Sequence, residues 1–194
     1  MEPHAQPAHV PVEAEVKLVI SEAEYESLSA RLLELGFGAT PRVAQEDYYI
    51  EHEASDLGGM NFSRLRKEDS TYTWNRKHHA LDSQGEKVRL EETKDLSEAE
   101  FYSLLSSAPS EPIIIRKDRQ NYTGTIETWP ATVSLDMVVM NEVTKYFIEV
   151  EVMTDIEHGV AVRRLCKDWA VTVLGVTGME APGYLKQYLN TSPS

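Results

Sequence analysis

The chain has 194 residues, one cysteine and a formal net charge of −13 at pH 7, with 41% hydrophobic and 26% charged residues. That is enough chain for one full core without a second domain, and its acidity argues against nucleic acid or an anionic membrane surface as the main partner. No apolar stretch approaches the length of a membrane span, Met1–Pro11 lacks the pattern of a secretory leader, and the single Cys166 excludes an internal disulfide framework and fits a cytoplasmic location.

Residues 1–11, rich in Pro, His and Ala, read as a disordered N-terminal segment, 12–189 as one domain and 190–194 as a frayed tail. Strands are predicted at 12–19, 44–51, 61–68, 70–77, 87–94, 113–119, 122–128, 132–139 and 145–153, with a hairpin joining 61–68 to 70–77. Three helix starts share a hydroxyl, or hydroxyl-like, opening with Glu three residues on: Ser21 to Glu24, Ser97 to Glu100 and Thr154 to Glu157. The first runs to Leu35 and stops at Gly36; the third runs to about Leu174. A short helical segment is expected near Tyr184–Leu189. The stretches SEAEYESL and SEAEFYSLL echo one another, either as related halves or as a capping motif used twice.

Along the strands, charge alternates with apolar residues, so that charged side chains share a face. Glu13, Glu15 and Lys17 oppose Val12, Ala14, Val16 and Leu18; Arg64 and Arg66 share a face, as do Lys87, Arg89 and Glu91, Lys117 and Arg119, and Glu149 and Glu151. Two architectures fit: a sandwich with every charged row in water, or a curled sheet with the charged rows inside and helices over the apolar outside. Like-charged pairs on one strand, about 7 Å apart, gain a sheet nothing. Acidic pairs that a divalent cation would neutralise, beside basic pairs that a polyanion would neutralise, describe a site for a metal–polyphosphate complex. There is no Gly-x-x-x-x-Gly-Lys phosphate loop.

Glu13-x-Glu15-x-Lys17 resembles the ExExK signature of the CYTH proteins, also called triphosphate tunnel metalloenzymes. The order and spacing of Gln45-x-Asp47-x-Tyr49, Arg64-x-Arg66, Trp74-x-x-Lys77, Arg89-x-Glu91, Lys117-x-Arg119-x-x-Tyr122, Leu135-Asp136 and Phe147-Ile148-Glu149-Val150-Glu151 extend the resemblance from about residue 12 to 189. It implies an α+β fold: a closed, mostly antiparallel eight-stranded β-barrel with helices packed outside. It also implies Mg²⁺ or Mn²⁺, a small molecule carrying a triphosphate, and, by analogy, a homodimer. On the matching positions, Glu13, Glu15, Glu149 and Glu151 are the metal-side carboxylates, and Asp136 binds a second metal or orients a basic neighbour. Lys17, Arg64, Arg66, Lys77, Arg89, Lys117 and Arg119 hold phosphates, with Glu15, Lys17, Lys77 and Lys117 expected to be catalytic. Arg89 with Glu91 could instead be a structural salt bridge.

Two departures bear on the reaction. Class IV adenylyl cyclases of this family carry His-Phe six and five residues before the first Glu, where this chain has Pro7 and Ala8; their Leu-Gly before the last acidic strand is replaced by the stretch 140–145. The Gln-x-Asp-x-Tyr segment nonetheless resembles the cyclase-related branch more than mammalian thiamine-triphosphatase. The leading expectation is hydrolysis of a triphosphate, inorganic or organic. The alternatives are cyclisation of ATP to cyclic AMP and pyrophosphate, and polyphosphate binding without turnover. His78 and His79 are expected to be exposed loop residues, and Trp74, Trp129 and Trp169 to pack rather than bind a base.

Overall fold

The computed structural model describes residues 11–140 and 142–191. The expected disordered segment therefore falls mostly on residues 1–10, outside the described residues, while Pro11 already belongs to the first strand. Of the expected tail, Asn190 and Thr191 belong to the last helix and 192–194 lie outside the described residues.

In chain order the elements are β1 (Pro11–Ile20), α1 (Glu22–Glu34), β2 (Gly38–Ala39), β3 (Val43–Ala54), β4 (Met60–Glu68), β5 (Thr71–Leu81), β6 (Lys87–Leu96), α2 (Glu98–Ser106), β7 (Ile113–Ile126), β8 (Trp129–Met140), β9 (Val143–Asp155), α3 (Gly159–Thr172) and α4 (Tyr184–Thr191). Eight strands close a ring in the order β7-β3-β4-β5-β6-β1-β9-β8, with β8 returning to β7 and every pairing antiparallel. The two residues of β2 add to β7 outside the ring. Closure decides between the two architectures: the charged rows of β1, β4, β6, β7 and β9 lie inside, and the outward rows of β1, β8 and β9 are apolar.

The outer apolar rows meet α1 and α3. Val16, Leu18, Val133, Leu135, Ile148 and Val150 are buried with Leu28 and Leu32 of α1 and Val162, Cys166 and Ala170 of α3. A second cluster lies at one end of the interior, where Tyr49, Ile115, Val138, Met140 and Phe147 meet Tyr184 and Leu185 of α4. The barrel is thus floored by apolar packing and charged above it.

Helices α1 and α2 start as expected. Ser21 Oγ accepts the Glu24 backbone N–H at 3.2 Å, and Glu24 accepts the Ser21 backbone N–H at 2.8 Å; Ser97 and Glu100 repeat the exchange. The third helix corrects the expectation. Thr154 and Asp155 stay in β9, paired with β1, and α3 begins at Gly159 with no side-chain cap. The Asp155 carboxylate accepts the backbone N–H groups of Glu157 and His158 at 3.0 Å each, so it shapes the turn before the helix instead of capping it. Gly159 allows the close approach that follows, because a Cβ there would sit 3.1 Å from Val12 and 3.2 Å from Val88.

Two further expectations change. The predicted strands 113–119 and 122–128 are one strand, β7. Its polar stretch Lys117–Asn121 looks like a turn because the face it presents to the interior is itself polar, and pairing with β8 runs unbroken through it. Strand β5 continues to Leu81, so His78 and His79 are strand residues, half-buried and opposite Leu90 and Arg89.

The ring has one weak seam. β1 meets β6 at a single register pair, Val12 with Leu90. Further along β1, the segment before α4 covers the free edge: Val19 N–H donates to Met179 O and Lys17 O accepts Ala181 N–H, both at 2.9 Å. Gly178 lies so close to β1 that a Cβ would fall 1.7 Å from the Val19 carbonyl oxygen, which leaves no room for any side chain.

Candidate active site

The seven cationic side chains singled out from sequence, on five strands, line one cavity of about 950 Å³: Lys17 of β1, Arg64 and Arg66 of β4, Lys77 of β5, Arg89 of β6, and Lys117 and Arg119 of β7. Glu13, Glu15, Glu91, Glu149 and Glu151 line the same space. The cavity also reaches His79, Lys87, the start of α3 and residues 180–186, so it opens beside the β1–β6 seam. A smaller hollow of about 280 Å³ shares Arg64, Arg66, Glu91 and Thr93 and adds Thr71, Thr73 and Asn75 at the β4–β5 turn.

The cations fall into two groups by their partners. Towards β1 and β6, Lys77 Nζ lies 2.5 Å from Glu13 and 2.8 Å from Glu91, and Arg89 is 3.2 Å from Glu15. Lys17 Nζ is 2.7 Å from Glu149 and 3.7 Å from Glu15. Arg89 and Glu91 are thus not a pair, since each takes a partner on another strand. Burial would raise the Glu91 carboxyl, but Lys77 and Arg64 hold it down at about 2.

Towards β3, β7 and β8, two aspartates sit wholly buried behind the arginines. Arg66 grips Asp47 with both Nε (2.6 Å) and Nη2 (2.9 Å), and Arg64 reaches the same carboxylate at 3.1 Å. Arg119 grips Asp136 in the same two-point way, at 2.7 and 2.5 Å, and also donates to Glu149 at 2.6 Å. Burial opposes the charge on Asp47, yet Arg64 and Arg66 keep it well below the usual carboxylate range. Lys117 is different. Burial, then Arg119 and Arg66, push its ammonium down to about 7, with Asp47 and Asp136 no closer than 3.7 and 3.8 Å.

The acidic side holds the counterpart. Glu15 stands opposite Glu151 in the β1–β9 ladder, and Lys17 opposite Glu149. Burial first, then Glu13, pushes the Glu151 carboxyl up to about 9. Among the described residues no three His, Cys, Asp or Glu side chains already converge as a metal cage. The donor set is nonetheless all oxygen, and its crowding is the kind that a hard divalent cation relieves. Glu13, Glu15, Glu149 and Glu151 therefore fit Mg²⁺ or Mn²⁺ in chemistry, the remaining shell being open to phosphate oxygens and water.

All the residues singled out from sequence lie in or against this cavity, Asp136 behind its wall. Three that were not among the expected site residues are also here. Asp47 orients two arginines and was readable as the inward neighbour of Gln45 and Tyr49. Glu91 holds Lys77. Tyr184 arrives from a helix distant in sequence, with no local signal of its place. His79 lines the cavity wall, where burial first, then Arg89 and Lys87, drive its imidazole down to about 4.

The protein is thus a closed antiparallel ring with opposed rows of acids and bases inside. The model of the CYTH domain matches residues 12–167, and the chain belongs to that family. No curated protein matches. Solved structures with the same fold include PH1012 from Pyrococcus horikoshii (22% identity, TM-score 0.59, covering 85% of this chain and 91% of that one). A Bacillus halodurans protein described as a candidate adenylate cyclase gives 17% identity and a TM-score of 0.65 over 92% of this chain and 98% of its own. A Hippeastrum protein, described as a candidate adenylyl cyclase with a dominant triphosphatase activity, gives 16% and 0.58 over 93% and 96%. At these identities the likeness concerns the fold. No helix among the described residues is long and apolar enough to cross a membrane.

Proposed function

We propose that this chain is a metal-dependent phosphohydrolase acting on a triphosphate, either inorganic tripolyphosphate or an organic triphosphate, held in the ring. The observation that carries the reading is the convergence of these seven cations from five strands on one cavity inside the ring with three glutamates, Glu13, Glu15 and Glu151, crowded on one flank. The family supports it in general terms, and the activity named for the Hippeastrum neighbour is of the same kind.

In this reading Arg64, Arg66 and Arg119 are preset forks for phosphate oxygens, fixed from behind by Asp47 and Asp136. Lys17, Lys77, Lys117 and Arg89 add point charges along the chain of phosphates. Both Asp136 oxygens are already engaged, Oδ1 by Arg119 and Oδ2 by Arg119 and Tyr184, so of its two expected roles the orienting one is favoured. Phosphoryl transfer needs positioning and charge more than covalent help, and a low-dielectric interior strengthens both. A divalent cation, when bound by Glu13, Glu15, Glu149 and Glu151, would neutralise phosphate charge and polarise the bond to be broken. The same charges could instead serve cyclisation of ATP; the two reactions differ in which phosphorus faces the nucleophile.

Product analysis separates them. The protein is incubated with tripolyphosphate or ATP and Mg²⁺ or Mn²⁺, and orthophosphate, pyrophosphate and cyclic AMP are measured. Orthophosphate from tripolyphosphate is the expected result. Cyclic AMP with pyrophosphate from ATP, and no orthophosphate from tripolyphosphate, would replace hydrolysis by cyclisation.

A further inference from the structure

The C-terminal helix contributes one side chain to the interior that touches both halves of the charged network. Tyr184 is 3% exposed, and its ring lies under two ammonium groups: Lys17 Nζ is 3.5 Å from the ring centroid and Lys117 Nζ 5.0 Å. Its hydroxyl donates to Asp136 Oδ2 at 2.6 Å, the same oxygen that Arg119 Nη2 grips at 2.5 Å. Phe147 packs edge-on against the ring at 5.0 Å and fixes its plane. The segment leading to the helix is itself tied to the strand carrying Lys17, since Ala181 N–H donates to the Lys17 carbonyl at 2.9 Å.

Such a contact is not required by packing alone. An apolar side chain would seal the floor as well, and burying a phenol needs a partner for its hydroxyl. Here the aromatic face gives Lys17 a weak partner that cannot compete with a phosphate, whereas a third carboxylate would hold the ammonium back. The hydroxyl does the opposite for Asp136: it takes a second lone pair of Oδ2 beside the one that Arg119 uses, so the carboxylate keeps one orientation and Arg119 with it.

Resting on the triphosphate reading, we infer that Tyr184 is a positioning residue of the phosphate site. Its ring sets the place of Lys17 and its hydroxyl sets Asp136 and, through it, Arg119. The docking of α4 and the readiness of the cations are then one event.

Two measurements test this, one of them without ligand. Lysine ε-CH₂ signals are recorded by NMR on selectively labelled protein, with Lys17 assigned by Lys17→Arg. Lys17 should be displaced upfield by the ring current in wild type and in Tyr184→Phe, and should return among the other lysines in Tyr184→Leu. Binding of the non-hydrolysable bis-methylene analogue of tripolyphosphate with Mg²⁺ is measured by calorimetry on the same proteins. Tyr184→Phe, which keeps the ring, should weaken it several-fold, and Tyr184→Leu at least ten-fold.

An unshifted Lys17 in wild type overturns the inference, as does a folded Tyr184→Leu that binds the analogue as tightly as wild type. If Tyr184→Leu does not fold, Tyr184→Phe decides: unchanged affinity overturns the claim for the hydroxyl, and the wild-type Lys17 signal judges the ring. Wild type that fails to bind the analogue removes the triphosphate reading and the inference with it. Wild-type binding with an unaffected variant removes the inference alone.

Discussion

Asp47 and Asp136 show what a buried charge does in this interior. Neither lines the cavity, and each holds an arginine in a two-point grip, so their work is to aim cations at a space they do not themselves touch. Removing one partner of a buried pair leaves the other desolvated and unpaired, a loss of about 3–5 kcal/mol. Asp47→Ala strands Arg64 and Arg66 together, and chemical denaturation should show a loss of that size; a loss under 1 kcal/mol would mean that water already screens the cluster. Part of this was legible in the sequence. Alternation put Arg64, Arg66, Lys117 and Arg119 on shared faces, and the motif order named the acids facing them. Tyr184 was not legible, because what brings it to Lys17 is the docking of a helix more than 160 residues further along the chain. His79 was misread because the charged hairpin around it looks like a loop until β6 is seen to pair with its full length.

At the scale of elements, Glu24 joins two pieces of the fold. Its carboxylate closes the cap of α1 on Ser21 and also accepts the backbone N–H and hydroxyl of Thr177, at 2.9 and 2.8 Å, anchoring the segment that covers the edge of β1. Burial would raise this carboxyl, but the backbone N–H groups of Ser21 and Thr177 outweigh it and bring it from 4.5 to about 2. A folded-state value below the unfolded one stabilises above the unfolded value and is lost as pH falls through the folded one. Glu24→Gln should therefore cost roughly 1–2 kcal/mol at neutral pH. The gap from wild type should narrow between about pH 5 and pH 2; a gap constant over that window would contradict the assignment. Gly178→Ala tests the same segment sterically. With 1.7 Å between a Cβ and a backbone oxygen, the strap must lift from β1, and amide exchange at Val19 should speed up; unchanged protection there would mean that the contact is not formed in solution. The capping boxes were readable because they are local, whereas Thr154–Glu157 carried the same letters inside a strand whose pairing to β1 outweighs a cap.

Over the whole molecule, the charges sort by side. Lys17, Arg64, Arg66, Lys77, Arg89, Lys117 and Arg119 face Glu13, Glu15, Asp47, Glu91, Asp136, Glu149 and Glu151, and Lys87, Arg163, Arg164 and Lys186 against Glu86 and Glu180 line the same cavity, so the acidity of the chain, −13 overall, lies outside it. On the proposed function a polyphosphate would enter together with divalent cations, its phosphates taking lysines and arginines and the cations the released carboxylates. Tripolyphosphate should accordingly bind at least ten-fold more weakly in EDTA than with Mg²⁺; equal affinity by calorimetry would mean that the glutamates do not hold a cation. The charge rows left a curled sheet as one of two architectures, and the closed ring of eight strands was implied by the family resemblance, since only closure brings rows from separate strands onto one space. Its weak seam was not, because the register of β1 on β6 depends on where the helix after β9 and the C-terminal strap come to rest.

The most direct test of the central claim is orthophosphate release from tripolyphosphate, with Mg²⁺ or Mn²⁺, by wild type and by the Glu15→Gln and Lys117→Ala proteins. These remove one carboxylate from the crowded acidic flank and one cation from the buried basic side. The account predicts turnover by wild type and a loss of at least a hundred-fold in each variant, with both still folded. Turnover that survives both substitutions would place the chemistry outside the ring and contradict it.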